Sequence, residues 1–484
     1  MRKLLVDYLC LKYENRILIR DKDSILKIDD YYNIFPENNF IVYYYTNKAN
    51  FRIMYEEEIK NASIKIVVIV ANNDYVPYDI ETAFYNIDLG LSNLFPKVDS
   101  KVLKKSKVDL DLFSIAYSNI YDRFSTLEET ENFLDFKVFT QANAIKYIEN
   151  IESELRNKLG NEDIDYRFWL DISRIKGKTE YIAAKCNVKI DLSFIDYEFS
   201  KFINNEFNFM SGIVSKSTPL LVNKVMDFVF ADKSKNVLII LDGMSVCDFY
   251  VISEGFEDIS YNLQFMYAMI PTTTAISRQS LLTGKLPAEL SHPFDLSQEQ
   301  NGFKQKALEI GYTKNEIEYL RGYDSTASIH SKCIAIILND IDDTVHNQLN
   351  ARRGMYQDVR EFTATRKLQN LINDLLVKGF NVYLTSDHGN TLCEGVGVSR
   401  KHGVEVETKS NRMIVYKDFV IDSQISEKLK LKKYPGYYLD KSYNYYICDV
   451  GFSMDIEGKK IMTHGGISVD EIIIPFVKIG EKNE

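Results

Sequence analysis

The second half of this chain carries apolar runs with almost no polar interruption: NVLIIL (236–241), CIAIIL (333–338), RMIVY (412–416) and EIIIPFV (471–477). A strand of this kind has no face that tolerates water, so its sheet must be covered on both sides. NVYLTS (381–386) adds a fifth strand signal, and helical patterns lie between several of the runs. The combination predicts an α/β fold in which helices enclose a mostly parallel sheet.

Upstream of residue 233 the pattern changes twice. RILIR (16–20), FIVYYY (40–45) and IKIVVIV (64–70) read as strands, and apolar residues recur at helical spacing over 79–95. This predicts a small N-terminal α/β domain over 1–135. Asp21 and Asp23 follow its first strand, either as turn residues or as the acids of a receiver-like phosphoacceptor site. From 136 to 232 the periodicity is helical, as in AIKYIENIESELRNKL (144–159) and FIDYEFSKFINNEF (194–207). In STPLLVNKVMDFVF (217–230), Thr218 stands as N-cap and Pro219 as the first helical residue. The region reads as a helical connector domain, followed by a third domain over 233–484.

With 484 residues and a formal charge of −10, the chain is not one that coats nucleic acid through bulk electrostatics. Phosphate-bearing substrates stay open, because metal ions can supply positive charge locally. Two lysine-rich runs, KVLKKSK (101–107) and KLKLKK (428–433), are phosphate tracks or solvated faces. The six cysteines are scattered and form no CxxC pair, the usage of reduced thiols in a cytoplasmic protein. No apolar stretch approaches the roughly 20 residues of a membrane helix, and Asp7 breaks the short run at the start. A cytoplasmic protein with no membrane association and no signal peptide is expected.

Three of the apolar runs lead straight into carboxylates. Asp242-Gly243 follows the first, Asn339-Asp340-Ile341-Asp342-Asp343 the second, with His346 just beyond, and Asp387-His388-Gly389 follows NVYLTS. THGGISVDE (463–471) sets His464 ahead of the last run. In open α/β sheets, sites form outside the carboxyl ends of the strands, so these pieces can converge. Singly, each has an ordinary explanation: LDG is a common turn, and Asp-x-x-x-His shares one helical face but recurs by chance. Together they use three of the chain's six histidines. Imidazole with carboxylate is a donor set suited to Zn²⁺ and tolerable for Mn²⁺. PTTTAISRQSLLTGKLP (271–287) adds three hydroxyls at a helix start, where backbone N–H groups favour anions; they are caps or chemistry.

Taken in order, LDGMS, PTTTAISRQSLLTG, the Asp-x-x-x-His pair, YLTSDHGN and THGGISVDEIIIPF resemble the signatures of the alkaline phosphatase superfamily, and more narrowly of the PglZ domain. LGLSNLFPKVDSKVL (89–103) is similar to the N-terminal part of PglZ proteins from BREX phage-defence systems. The resemblance implies an alkaline-phosphatase-like catalytic domain over 233–484 with two divalent metal ions, zinc first, manganese or magnesium as alternatives. Carried over by motif, Asp242, Thr274, Asp387 and His388 hold one ion, and Asp342, His346 and His464 hold the other. A cation there would also relieve the repulsion within the aspartate cluster. Thr274 is the implied nucleophile, as the second Thr of a Pro-Thr-x-Thr pattern, with Thr273 next in line. Arg278 lies four residues on, on the same helical face, as the candidate phosphate contact.

The implied activity is metal-dependent phosphoryl-transfer hydrolysis, as a phosphodiesterase, nuclease or phosphatase in phage defence, with a nucleic acid or nucleotide as substrate. Implied partners are other defence-complex proteins, BrxB-like ones first, docked on the segment before residue 233. The rival reading is a metal-stabilised scaffold subunit that hydrolyses nothing. No Cys-x-Pro-x-Arg motif stands at the nucleophile position, which argues against a sulfatase.

Overall fold

The structure is a computed structural model that describes residues 1–28, 31–70, 74–106, 108–161, 164–256, 258–323, 328–348, 350–397, 410–417 and 423–480. Two compact units divide the chain, Met1–Asn150 and Ile151–Asn483, and the boundary falls within the helix Gln141–Asn161. Among the described residues, no helix is long and apolar enough to cross a membrane.

The first unit holds a parallel sheet of β1 (Arg16–Asp21), β2 (Phe40–Tyr45), β3 (Lys65–Val70) and β4 (Tyr85–Leu89), in the order β2-β3-β1-β4. The stretch 79–95, expected as one helix, is instead a short helix Tyr78–Glu81, then β4, then a helix Leu91–Leu94. Pairing decides this: β4 lies in register with β1 from Ile17↔Tyr85 to Asp21↔Leu89, which buries Ile87 and Leu89. The receiver-like reading of Asp21 and Asp23 is overturned too. Asp21 accepts the Ile25 and Leu26 amides, each at 2.9 Å, while Asp23 accepts the Leu91 amide and pairs with Lys104, each at 2.8 Å. Both carboxylates hold loops, and the strand order is not the 2-1-3-4-5 of flavodoxin-like folds. Lys104 of the first basic run is thereby paired, and Lys107 lies outside the described residues.

In the second unit, strands β5 (Asn236–Leu241), β6 (Tyr261–Tyr267), β7 (Ile317–Arg321), β8 (Cys333–Leu338) and β9 (Asn381–Thr385) join the final strand in one sheet. Between them and that strand, two small sheets combine β10 (Thr391–Gly395), β14 (Phe452–Ser453) and β15 (Lys460–Thr463), and β11 (Met413–Tyr416), β12 (Leu431–Tyr434) and β13 (Asn444–Cys448). With β16 (Ile473–Ile479), the large sheet runs β6-β16-β9-β5-β8-β7. The four strands from β9 to β7 are parallel, and β16 runs against both of its neighbours.

All six side chains of β5 and of β8 are buried, so both faces need cover. Helices α1 (Tyr166–Lys185) and α2 (Ser193–Glu206) supply part of it. Phe168, Trp169 and Ile172 of α1 and Ile195, Phe199 and Ile203 of α2 share one core with Leu238, Ile240, Ala335 and Ile337 of the sheet. The helix expected from Pro219 begins only at Val225, after a 3₁₀ turn at Val222–Lys224. Pairing with β6 competes with the helix here: the Leu220 carbonyl accepts the Tyr267 amide at 2.8 Å, and Leu221, extended, bridges to Tyr267.

Further helices are α3 (Val246–Ser253), α4 (Thr274–Thr283), α5 (Glu299–Ile310), α6 (Asp340–Asn347), α7 (Ala351–Ala364) and α8 (Val469–Ile472). Helix α1 crosses α3 closely enough that a Cβ on Gly177 would meet Val246 Cγ1 at 2.6 Å. Beside that crossing lies a buried charge network. Lys176 Nζ reaches Asp470 Oδ2 at 2.5 Å, Glu180 Oε1 at 2.9 Å and Asp196 Oδ2 at 3.6 Å. Arg352 of α7 reaches Glu180 at 3.0 Å and Asp470 at 3.4 Å.

Two outcomes follow from the network. Removing one partner of a buried ion pair leaves uncompensated charge, at a cost of about 3–5 kcal/mol. Lys176→Met is therefore expected to lower the unfolding free energy by about that much in urea titrations, while exposed Lys201→Met stays within about 0.5 kcal/mol. Burial pushes the Asp196 carboxyl up from 3.8 to about 7, with Lys176 opposing and the Asp470 charge assisting. A carboxyl raised on folding favours the folded state when protonated, so its contribution is complete below about pH 4 and is lost as pH rises towards 7. Asp196→Asn keeps an oxygen acceptor for the Val469 amide, bound at 2.8 Å, and is expected to flatten this loss when unfolding is compared at pH 5 and pH 8.

Candidate metal centre

Register brings the carboxyl ends of three strands level. Leu241 of β5 pairs with Leu338 of β8, and Ile240 pairs with Thr385 of β9. Asp242 therefore leaves β5 beside the start of α6 and beside the 386–388 turn. The aspartates of α6 part company there. Asp342 turns towards His346 and His464, Asp340 accepts the Tyr323 hydroxyl at 2.9 Å, and Asp343 is exposed.

Two donor clusters result, Asp242–Asp387–His388 and Asp342–His346–His464, each with its donor atoms within 4.8 Å of one another. They adjoin, since the His388 and His464 rings stack with centroids 4.3 Å apart. In the first cluster each side chain uses one polar atom for anchorage and turns the other inward. Asp242 Oδ2 takes Arg278 Nη1 at 2.5 Å, leaving Oδ1 to face His388 Nε2 at 3.7 Å. Asp387 Oδ1 accepts the Gly243 and His388 amides at 3.2 and 3.0 Å, while its Oδ2 takes no hydrogen bond. His388 Nδ1 meets the Gly389 carbonyl at 3.0 Å, which makes Nδ1 the protonated nitrogen and frees the Nε2 lone pair.

The second cluster repeats the device at His464, whose Nδ1 donates to the Thr272 carbonyl at 2.9 Å while Nε2 has no partner. Asp342 Oδ1 is likewise unpartnered, 3.6 Å from that Nε2. His346 reaches Asp342 Oδ2 at 3.4 Å from α6, and its side chain is 43% exposed, so this cluster opens to solvent.

The electrostatics match a cation site. Two carboxylates about 4.8 Å apart repel by roughly 3–4 kcal/mol at an effective dielectric of 20. Burial, and then the charge of Asp242, push the Asp387 carboxyl well above the usual range against the pull of Arg278. Burial and the neighbouring His388 lower His464 to about 4, so it is neutral at pH 7 with its lone pair available. Burial alone would raise Asp342, but the His346 hydrogen bond, and the charges that His464 and His346 take on at acid pH, hold it below the carboxylate range. The residues fit divalent metal: buried Asp387 Oδ2, Asp342 Oδ1 and His464 Nε2 converge on adjoining points, and none has a hydrogen-bond partner among the described residues.

Thr274 opens α4, and its Oγ1 lies 3.1 Å from His388 Nε2 and 3.4 Å from Asp242 Oδ1. Thr273 is the N-cap, with its hydroxyl buried and unpartnered, and Thr272 braces the 464–466 loop through Gly465 N–H at 2.9 Å. Arg278, expected at a phosphate, is placed otherwise. Its guanidinium is buried behind Asp242, with Nε on Glu299 Oε2 at 2.8 Å, so its donors face carboxylates.

Several further residues support the donors from behind. Asp470 presses on the 387–389 turn from behind: a Cβ on Gly389 would meet its carbonyl at 1.9 Å, and the Gly389 amide bonds Glu471 O at 2.9 Å. Buried Arg412 pairs with Glu471 and lies against Gly466, holding the loop that carries His464. Asp470 and Glu471 close the THGGISVDE motif, and Ser386 and Asn390 flank Asp-His-Gly; Ser386 Oγ bonds Leu241 O at 2.7 Å, and Asn390 Nδ2 bonds Gly243 O at 2.9 Å.

Residues 220–479 match the family model described as the BREX system PglZ alkaline phosphatase-like domain. The chain belongs to the PglZ family. Both donor clusters and Thr274 of this PglZ domain fall inside the matched range. No curated protein matches the chain significantly. Solved structures similar to part of the chain include murine ectonucleotide pyrophosphatase/phosphodiesterase 5, as an inactive variant in complex with AMP (13% identity, 50% of this chain and 87% of that one, TM-score 0.35). The human ectonucleotide pyrophosphatase/phosphodiesterase 5 is similar at 13% identity, 50% and 87% coverage and TM-score 0.33. Phosphonoacetate hydrolase from Sinorhizobium meliloti 1021, in complex with phosphonoformate, is similar at 10% identity, 51% and 89% coverage and TM-score 0.32.

Proposed function

We propose that this PglZ protein is a metal-dependent phosphoesterase with Thr274 as its nucleophile. The observation that carries the reading is the position of the Thr274 hydroxyl, within 3.1–3.4 Å of inward-facing donor atoms of a buried cluster and at a helix start. Asp242, Thr274, Asp387 and His388 would hold one divalent ion, and Asp342, His346 and His464 the other. Mixed imidazole and carboxylate donors favour zinc, with manganese or magnesium as alternatives. Bound ions would supply Lewis acidity, neutralising charge on phosphate oxygens and lowering the pKa of an oxygen nucleophile.

The chain's own residues do the rest. Asp242 and His388 hold the Thr274 side chain, and the first turn of α4 presents backbone N–H groups and the positive end of the helix dipole to an anionic substrate. Attack by Thr274 Oγ1 forms an Oγ1–P bond as the ester P–O bond breaks, the leaving oxygen departing as an alcohol with the proton the hydroxyl gives up. Water then hydrolyses the phosphoryl-threonine ester, which restores the hydroxyl and releases the remaining phosphate ester. Access is from the side of Thr274 and His346, where the site is open. The family's phage-defence setting supports a nucleic acid or nucleotide diester as substrate, a cytoplasmic location and a partner from the same system, BrxB-like in our reading. Exposed Tyr13, Tyr75, Tyr78 and Tyr121 favour residues 1–150 as the docking unit, because tyrosine is enriched at interfaces.

Elemental analysis of protein purified without chelator is expected to find two metal ions per chain. Dialysis against a chelator is expected to remove them in two phases, the exposed Asp342–His346–His464 ion first. Failure to retain any ion after addition of Zn²⁺ or Mn²⁺ would sink the reading.

Thr274→Ala is expected to lose at least about 10³-fold in hydrolysis of a chromogenic phosphodiester while keeping its melting temperature. If Thr273→Ala loses activity and Thr274→Ala keeps it, the nucleophile is one residue earlier. Metal-loaded wild type that cleaves no phosphoester would favour the scaffold reading.

A further inference from the structure

Arg278 lies one turn after Thr274, yet its side chain leads away from the opening. Nη1 donates to Asp242 Oδ2 at 2.5 Å and stands 3.8 Å from Asp387 Oδ2, while Nε donates to Glu299 Oε2 at 2.8 Å. Glu299, at the start of α5, is itself buried, and its second oxygen accepts the Tyr319 hydroxyl and Arg321 Nη2, the latter at 3.2 Å. Arg321 ends β7, the edge strand of the large sheet, and its side chain is 51% exposed. The charges therefore alternate from the donor cluster to the surface: Asp242 negative, Arg278 positive, Glu299 negative, Arg321 positive.

We propose that Arg278, Glu299 and Arg321 form a charge relay of positioning residues that sets how tightly the Asp242–Asp387–His388 cluster holds its cation. The inference rests on the metal-binding reading of that cluster. Two physical effects carry it. First, Arg278 ties down Asp242 Oδ2, which fixes the carboxylate with Oδ1 facing Thr274 and His388. Groups of this kind behind a metal ligand change metal affinity by roughly 10–100-fold when removed. Second, Arg278 and a divalent cation compete for the same two carboxylates. Glu299 shares the guanidinium and so limits how much positive charge falls on Asp242 and Asp387. Arg321 in turn draws Glu299 away from Arg278.

Alternation makes the expected effects opposite in sign. Neutralising Glu299 leaves the full charge of Arg278 on the donor cluster and weakens cation binding. Neutralising Arg321 releases Glu299 towards Arg278 and strengthens it. A merely structural role for these residues would lower affinity in both variants or in neither.

The test is zinc affinity of the full chain, measured by competition with a chromogenic chelator, with the Asp342–His346–His464 site as internal reference. Glu299→Gln keeps shape and an acceptor, and is expected to raise Kd of one site by about 10-fold or more while the other is unchanged. Arg321→Gln is expected to lower Kd of the same site by about two- to threefold, the smaller change reflecting solvent screening at the half-exposed end. Unchanged Kd in both variants, or a shift of the same sign in both, would overturn the relay while leaving the metal centre standing. If Glu299→Gln does not fold, Arg321→Gln decides alone, and an unchanged or raised Kd overturns the proposal. Wild-type protein that binds no zinc would instead refute the metal-binding reading itself.

Discussion

Parallel pairing of β9, β5 and β8 delivers carboxylates to one edge of a sheet whose interior is hydrocarbon, and the rest of the structure answers to that concentration of charge. At an effective dielectric of 20, each pair of carboxylates at such distances costs several kcal/mol if left alone. That is comparable with the whole stability of a domain. The strands cannot be moved apart without breaking a register that buries twelve side chains on β5 and β8, so the compensation has to come from the groups around the edge.

It comes from buried bases, each placed behind one piece of the site. Arg278 stands behind Asp242, Lys176 and Arg352 meet Asp470 under the 387–389 turn, and Arg412 meets Glu471 under the loop of His464. None is an isolated charge. Each base is shared between carboxylates or backbone carbonyls, which is how a buried cation avoids an uncompensated desolvation cost. Within the two donor clusters, the buried atoms left without a hydrogen-bond partner are Asp387 Oδ2, Asp342 Oδ1 and His464 Nε2, and on these unmet acceptors the proposed metal-binding reading rests.

The same arrangement explains why α1 belongs with the sheet. An amphipathic helix is ordinarily read for its apolar stripe, and Phe168, Trp169 and Ile172 do enter the core. But Lys176 and Glu180, one turn further, carry the charge that the 470 turn requires. Helix α1 lies upstream of the 220–479 range of the family model, so the electrostatic surroundings of the PglZ domain include residues outside its matched boundary.

What the sequence determined by itself was whatever depends on neighbours along the chain. Unbroken apolar runs dictated a sheet covered on both faces, because no other arrangement keeps water from NVLIIL and CIAIIL. The donor residues stood out because each follows a strand end or precedes the last strand within a few positions. The order of the motifs along the chain sufficed to suggest the PglZ family. Tertiary structure alone decided matters that depend on what lies across from a residue. The middle of 79–95 became β4 because β1 offered it an open edge, and 219–221 stayed out of the helix because Tyr267 took the Leu220 carbonyl. Helical spacing told which face of α4 Arg278 occupies but not how deep it lies, and depth turned its guanidinium to Asp242 and Glu299, residues 36 and 21 positions away. Local pattern records the period of burial. Charge pairing across a core is set by three-dimensional distance, which no local pattern encodes.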